Sequence, residues 1–302
     1  MGPADVLARI GELKRRRNAI ILAHNYQVPE VQDAADFVGD SLELSRKAAG
    51  LDADVIVFCG VHFMAETAAI LSPGKTVLLP EVEAGCPMAD MINGRELRAW
   101  KARYPGLPVV CYVNTSAEVK AESDICCTSS NAVSVVNSLG VDELLFVPDK
   151  NLAAYVARET GKTIRAWDGY CYVHHRFTPE DIRAARRRHP GAEVWVHPEC
   201  PLDVSSLADK VLSTGKMVLE ARRTSCREVV IGTEKGILYR LSKENPSVTF
   251  YPARETALCA HMKMTTLEKV ARALETGTHR VEVPRDIADR ARGAIQAMLE
   301  IS

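Results

Sequence analysis

Val109-Val110-Cys111-Tyr112-Val113-Asn114 and Val194-Trp195-Val196-His197-Pro198-Glu199 each pass from an apolar run directly into polar side chains. Ala19-Ile20-Ile21-Leu22-Ala23-His24-Asn25-Tyr26 does the same near the start of the chain. An uninterrupted apolar run of this length suits a strand buried on both faces, so each reads as a strand of a parallel sheet with reactive groups at its end. Three cysteines recur with these runs: Cys86, Cys171 and Cys259, separated by 85 (171 − 86) and 88 (259 − 171) residues. Tyr112 lies 26 residues after Cys86, and His197 lies 26 after Cys171. Unrelated loops would not keep one count, so the offsets point to duplication of one structural unit.

Outward from these stretches, strand-like runs alternate with helical patterns and no linker interrupts them, the signature of an α/β protein with parallel sheets. The first unit reads Ala19–Ala23, Asp54–Cys59 and Thr76–Leu79 as strands. The second reads Val109–Val113, Ile125–Cys127, Leu144–Val147 and Thr163–Trp167, and the third Val194–His197, Lys210–Leu212, Glu228–Ile231 and Val248–Tyr251. Helix starts follow each special cysteine: Asn93 with Glu96 and Thr265 with Glu268 have capping-box spacing, and Thr178-Pro179-Glu180 sets an N-cap before a first-turn proline. The first unit is expected to carry an insertion, because His24 to Cys59 spans 35 residues while Tyr112 to Thr128 and His197 to Ser213 each span 16. The extra segment, Asp33 through Ala49, reads as an amphipathic helix pair. Val281-Glu282-Val283 reads as a short strand, followed by a closing helix over Ile287–Ile301. The expected division is 1–86, 87–171 and 172–259 as α/β repeats, with 260–302 as closing elements.

Cys86, Cys171 and Cys259 stand outside the strands, after small or turn-forming contexts such as Ala84-Gly85 and Asp168-Gly169. Structural zinc usually draws on a local C-x-x-C pair, and no such pair exists here. Three widely separated thiolates suit an iron–sulfur cluster, and three ligands on a four-iron cube leave one iron open as a Lewis acid. Cys59, Cys111, Cys126 and Cys127 sit in or beside apolar runs and read as small core hydrophobes, with Cys200 and Cys226 leaning the same way. Three hydroxyl clusters precede helical patterns: Ser41 in Gly39-Asp40-Ser41, Thr128-Ser129-Ser130, and Ser213-Thr214-Gly215. Each alone is ordinary capping, whereas three converging would bind a substrate with several anionic groups. His24, Tyr26, Tyr112, Asn114, His174, His197 and Glu199 add titratable and hydrogen-bonding groups. Gly161-Lys162-Thr163 mimics the end of a phosphate-binding loop, but Val156 occupies the required first glycine and the order is helix then strand, so it reads as a helix C-cap. Arg183 through His189 reads as a solvated basic face.

The 302 residues are 47% hydrophobic and 25% charged, enough for two or three compact units. A net charge of −1, from 38 basic and 39 acidic residues, gives no field to hold nucleic acid or an anionic membrane. The Lys14-Arg15-Arg16-Arg17 cluster precedes only five apolar residues, too few for a signal peptide, and no run approaches a membrane span. Met1-Gly2 lacks the Ser or Thr that myristoylation wants at position 6, where Val6 stands. Nine cysteines without an export signal point to thiols or a metal rather than disulfides, and the chain is expected to be cytoplasmic.

Ala23-His24-Asn25-Tyr26-Gln27, Gly39-Asp40-Ser41-Leu42, Gly85-Cys86-Pro87-Met88, Tyr112-Val113-Asn114, Cys127-Thr128-Ser129, His197-Pro198-Glu199-Cys200-Pro201 and Gly232-Thr233-Glu234 together resemble quinolinate synthase, nearly end to end. The resemblance implies three similar three-layer α/β/α domains related by pseudo-threefold symmetry, with the active site and a 4Fe-4S cluster at their junction, held by Cys86, Cys171 and Cys259. It also implies condensation of iminoaspartate with dihydroxyacetone phosphate to quinolinate, phosphate and water in NAD biosynthesis, and coupling to an iminoaspartate-producing enzyme. In that chemistry Glu199 is the expected base with His197 beside it, and Tyr26 and His24 the groups for proton transfer during isomerisation and closure. Ser41, Tyr112, Asn114, Ser129, His174, Ser213 and Thr214 are expected to hold carboxylates and phosphate. The sequence departs from some members at Tyr172, where they have proline, and at His261, where they have asparagine. Met262 stands where some members place the second cysteine of a C-x-x-C pair, so a disulfide switch there is not expected. The competing readings are a non-enzymatic iron–sulfur electron carrier or sensor, which would use Cys200 as a fourth ligand, and a zinc-dependent aldolase or lyase.

Overall fold

The computed structural model describes residues 2–50 and 52–301, so Met1 of the Met1-Gly2 pair lies outside the described residues. Among the described residues, twelve strands form three parallel sheets of four. The first holds β1 (Ala19–His24), β2 (Phe37–Gly39), β3 (Val55–Cys59) and β4 (Thr76–Leu78). The second holds β5 (Val109–Tyr112), β6 (Ile125–Cys127), β7 (Glu143–Val147) and β8 (Thr163–Ala166). The third holds β9 (Glu193–Val196), β10 (Lys210–Val211), β11 (Glu228–Gly232) and β12 (Thr249–Pro252). The orders are β2-β1-β3-β4, β6-β5-β7-β8 and β10-β9-β11-β12, one topology used three times, with helices on the sheet faces. The chain therefore consists of three similar α/β/α units.

The inner strands β1, β5 and β9 are almost wholly buried and carry continuous apolar runs because both faces are covered. In each unit the chain leaves the inner strand toward one sheet edge and returns on its other side. That reversal opens a crevice beyond the carboxyl ends of the strands, where ligands bind in open α/β sheets.

One aspartate per unit fixes the edge strand. Asp36, Asp124 and Asp209 directly precede β2, β6 and β10. Their carboxylates accept the backbone N–H of Ile21 at 2.8 Å, Val109 at 2.7 Å and Val194 at 2.7 Å, while their own N–H groups donate to the carbonyls of the same three residues. These aspartates are 88 and 85 residues apart (124 − 36 and 209 − 124), as are His24, Tyr112 and His197 (112 − 24 and 197 − 112).

This equivalence corrects the expected insertion. Phe37–Gly39 is the counterpart of Ile125–Cys127 and Lys210–Val211, pairing with β1 in the register Leu22↔Phe37 and Ala23↔Val38. The helix pair expected over Asp33–Ala49 is instead helix Pro29–Ala34, strand, then helix Ser41–Ala49. The backbone ladder to β1, anchored by Asp36, overrides the helical spacing of three residues.

Two smaller expectations fail near the C-terminus. Val281–Val283 is no strand. Arg280 makes one antiparallel bridge to Leu78 and Val281 donates to the Val77 carbonyl, after which Pro284 removes a donor and opens the helix Arg285–Glu300. The third cap is Thr266, which accepts from the Lys269 N–H, and not Thr265, whose side chain is buried. The predicted caps at Asn93 and Thr178 form as expected, and Gly161 closes its helix at φ 70°, a left-handed position that suits glycine.

The helix after Cys259, Leu267–Thr276, packs on the first sheet: Leu267, Val270, Ala271 and Leu274 share a buried cluster with Val6, Ile10, Leu13, Ile21 and Val57. The third cysteine thus leads back to the first unit, and the ring of three units closes on itself. Among the described residues no helix is long and apolar enough to cross a membrane.

Candidate active site

The inner strands deliver His24 and Tyr26, Tyr112 and Asn114, and His197 and Glu199 into one cavity of ≈ 760 Å³, counted with its open mouth. Ser41, Ser129, Thr214, His174 and the three cysteines Cys86, Cys171 and Cys259 also line it. Of the residues expected from sequence, Ser213 alone stands behind the wall, buried, where its hydroxyl caps the helix Thr214–Arg223.

Each cysteine is held by the same local device. Its sulfur accepts the backbone N–H of the residue three positions on, Ala89, His174 and Met262, at the turn of 3₁₀ helix that follows. The three are half-buried free thiols, whereas Cys59, Cys111, Cys126, Cys127 and Cys200 are fully buried. Two buried carboxylates set the backbone of two of them: Asp149 accepts the Cys171 N–H at 3.2 Å, and Glu234 accepts the Cys259 N–H at 3.2 Å. Burial pushes the Cys86 thiol up to about 12 and raises Cys171 and Cys259 as well, with Cys259 acting on Cys86 and Cys86 on Cys171. A cationic centre in their midst would relieve that penalty by taking them as thiolates, and N–H···S bonds are what an iron–sulfur ligand uses. The donor set fits a 4Fe-4S cluster.

Glu199 is the hub on the cavity floor. The Tyr112 hydroxyl donates to Oε1 at 2.5 Å. Oε2 lies 2.5 Å from Nδ1 of His174, off the line of an ideal hydrogen bond, and 3.7 Å from Nδ1 of His197. The His174 and His197 rings stack at 4.5 Å. Burial alone would raise the Glu199 carboxyl, but the adjacent His174 ring and the Tyr112 hydroxyl hold it down to about 2, so it is ionised at neutral pH. Burial and then the charge of Glu199 raise the Tyr26 and Tyr112 phenols, which stay protonated. Burial pulls His197 down to about 3, and burial with the Lys263 charge does the same to His24. A carboxylate that can take a proton therefore faces phenols that can give one, between rings that stay neutral.

That arrangement sets a stability window. His24 and His197 accept a proton near 6.5 when unfolded and near 3 when folded, so between those values the unfolded chain binds more protons and stability falls as pH falls. Stability should be level above pH 6.5 and lose about 2 kcal/mol per histidine on going to pH 5. Denaturant titrations at the two pH values check this, and His197→Asn should remove roughly half of the loss. An undiminished loss in that variant would refute the assignment.

The three hydroxyl-bearing helix starts do converge. Ser130 Oγ lies 2.6 Å from Asp40 Oδ2 and 2.6 Å from Ser213 Oγ, joining helix starts from all three units, and Asn25 Nδ2 donates to Thr214 Oγ1 at 3.2 Å. A Cβ on Gly215 would stand 2.5 Å from Asp40 Oδ2, so only glycine permits that approach. Ser41, Ser129 and Thr214 occupy equivalent positions (129 − 41 is 88, 214 − 129 is 85) at this anion-seeking junction.

Sequence reasoning gave no site role to Asp40, Thr233, Glu234 and Lys263, although the first three lie in stretches that carry the resemblance. Thr233 and Glu234 follow β11, beside β9, and the strand-end pattern used for the inner strands would have found them. Lys263 pairs with Glu234 Oε1 at 3.0 Å and donates to the Tyr26 carbonyl, a placement no spacing announces.

A family model described as quinolinate synthetase A protein matches residues 8–300. The quinolinate synthase of Dehalococcoides mccartyi strain ATCC BAA-2266 is 62% identical over 294 residues, 97% of either chain. That of Methanoregula boonei is 58% identical over 289 residues, 96% of either chain. Quinolinate synthase 1 of Methanosarcina acetivorans is 55% identical over 301 residues, 100% of this chain and 99% of its own.

Proposed function

The chain belongs to the quinolinate synthase family, and on that premise we propose that it condenses iminoaspartate with dihydroxyacetone phosphate to give quinolinate, phosphate and water. The observation that carries this reading is the meeting, in one cavity, of three cysteines from three repeats with Glu199, the Tyr112 hydroxyl bonded to it, and Tyr26. Cys86, Cys171 and Cys259 hold a 4Fe-4S cluster. When bound, it supplies a Lewis acid for a substrate carboxylate or departing hydroxyl.

The chain's own groups then divide the work. One substrate brings two carboxylates and the other a phosphate, which suits the junction where Ser41, Ser129 and Thr214 meet at helix N-termini, with Asn114 on the same wall. Glu199 removes the protons that ring closure and water loss require, and Tyr112, bonded to it at 2.5 Å, stabilises the carboxylate between transfers. Tyr26 donates during isomerisation. His24 and His197, neutral and stacked or edge-packed on their neighbours, shape the floor and accept hydrogen bonds without adding charge. The enzyme is proposed to work in the cytoplasm in NAD biosynthesis, fed by an iminoaspartate-producing enzyme, with its units meeting at residues 86, 171 and 259.

A second reading has one observation in its favour: a sulfur of Cys171, a ring nitrogen of His174 and an oxygen of Glu199 lie within 4.8 Å of one another, close enough for a single ion of a zinc lyase. Anaerobic purification with iron and sulfide analysis separates the two. Iron and sulfide in equal amounts, with turnover of both substrates, are expected; one zinc without sulfide refutes the cluster. Quinolinate or a small dicarboxylate should also change the visible and Mössbauer spectra of the loaded protein without reduction. An unchanged spectrum at saturation favours the closed electron carrier.

A further inference from the structure

Tyr172 follows the second cysteine of the repeat and reaches the third. Its hydroxyl accepts the Ala260 N–H at 3.0 Å and is hydrogen-bonded to the Cys259 sulfur. The ring is held from two sides, with the Arg176 guanidinium 5.8 Å over its centroid and the His261 ring edge-on at 6.4 Å. It also forms part of a wall: Tyr172 lines the cavity and, together with Arg176, Arg254 and Leu258, a second cleft of ≈ 520 Å³ counted with its open mouth. The segment that follows Cys171 is thereby tied to the segment that carries Cys259, across 88 residues of chain.

We propose that the Tyr172 hydroxyl donates a hydrogen bond to the Cys259 thiolate and through it sets the reduction potential of the cluster that this cysteine helps to hold. The inference rests on the cluster reading of the three cysteines. A phenol has one proton to give, and its oxygen accepts besides. Because the Ala260 N–H already points at the Tyr172 oxygen, the hydroxyl proton is turned away from that group, and the Cys259 sulfur is the acceptor it meets among the described residues. A hydrogen bond from O–H to thiolate is charge-assisted, and it strengthens as the sulfur gains negative charge. A reduced cluster carries one electron more, shared with its thiolates, so the bond stabilises the reduced form more than the oxidised one and raises the potential. By the same sign it opposes removal of an electron by an oxidant. Cys86 and Cys171 receive N–H bonds from the backbone of their own turns, whereas Cys259 also receives a bond from a side chain of another segment.

Tyr172→Phe removes the hydroxyl and keeps the ring, and with it the wall between cavity and cleft, so solvent access to the cysteines is unchanged. The anaerobically purified, cluster-loaded protein is titrated with redox dyes and followed by the electron-spin signal of the reduced cluster. The midpoint of Tyr172→Phe should fall by about 59 mV, equivalent to a tenfold drop in the ratio of reduced to oxidised cluster at a fixed potential. Tyr170→Phe, which takes a hydroxyl from the residue before Cys171, where the ring packs on His175, should leave the midpoint native. A Tyr172→Phe protein with native iron content and a ratio within about threefold of native overturns the proposal. So does a midpoint that rises, or one that Tyr170→Phe lowers equally. Should the phenylalanine variant fail to load iron, Tyr172→Leu makes the same comparison, and failure of both makes Tyr172 a residue of cluster assembly and overturns the tuning role. Native protein without iron and sulfide brings down the cluster reading itself, whereas a loaded native protein beside an unshifted Tyr172→Phe brings down the tuning alone.

Discussion

Cys86→Ser, Cys171→Ser and Cys259→Ser should each yield folded protein that has lost its brown chromophore and all measurable quinolinate formation, while Cys59→Ala and Cys126→Ala keep both. The contrast follows from where the sulfurs stand. Cys86, Cys171 and Cys259 are half-buried on the cavity wall, each receiving an N–H from its own following turn. A serine oxygen in that place is a hard, reluctantly ionised ligand where iron and sulfide want soft thiolate. Cys59 and Cys126 are fully buried within strands, and trimming one sulfur there costs packing of about 1–2 kcal/mol at most without touching the site. Iron and sulfide per chain, read with the visible spectrum after anaerobic purification, decide the matter. Full iron content in Cys171→Ser would remove the ligand assignment. It would also revive the reading in which Cys200 serves, although Cys200 is fully buried with its sulfur 3.5 Å from the Gly232 carbonyl and does not line the cavity.

Glu199→Gln should keep fold and cluster and lose roughly 10²- to 10⁴-fold in kcat, the range general acid–base catalysis supplies. Glutamine fills the same space and still accepts the Tyr112 hydroxyl bond, so the hydrogen-bonded floor survives, but an amide takes no proton. Turnover at saturating iminoaspartate and dihydroxyacetone phosphate, with iron measured in parallel, separates the base from a mere anchor. An anchor would show a raised KM with kcat kept. Near-normal saturated turnover in fully loaded protein would end the base role and shift it to Tyr26 or His197.

The fold was legible because parallel strands buried on both faces leave an unmistakable mark. Ala19–His24, Val109–Tyr112 and Glu193–Val196 announce themselves as apolar runs, and polar residues at their ends follow from where a parallel sheet opens its crevice. The cysteine spacing disclosed the repeat, because a duplicated unit keeps its count. Phe37–Gly39 was not legible: three residues hold too little pattern, and their strand state comes from pairing with β1 and from Asp36 gripping Ile21. Missing that strand manufactured an insertion that the first unit does not have.

At the site, residue type and strand-end position nominated His24, Tyr26, Tyr112, Asn114, His197 and Glu199, and the repeat spacing nominated the three cysteines, which stand outside the strands. What only the tertiary structure decided is which groups touch. That Tyr112 bonds to Glu199, 87 residues away, that Ser130 ties Asp40 to Ser213, and that Thr233 joins Tyr26 to His174 depend on how the three units close into a ring. Helix Leu267–Thr276, following Cys259, completes that closure by covering the sheet with which the chain began. The sequence by itself determined the unit and its reactive inventory, because local periodicity and spacing encode them. The contacts among these groups and their charge states belong to the meeting of the units, where burial and neighbouring charge, invisible along the chain, set the behaviour of each group.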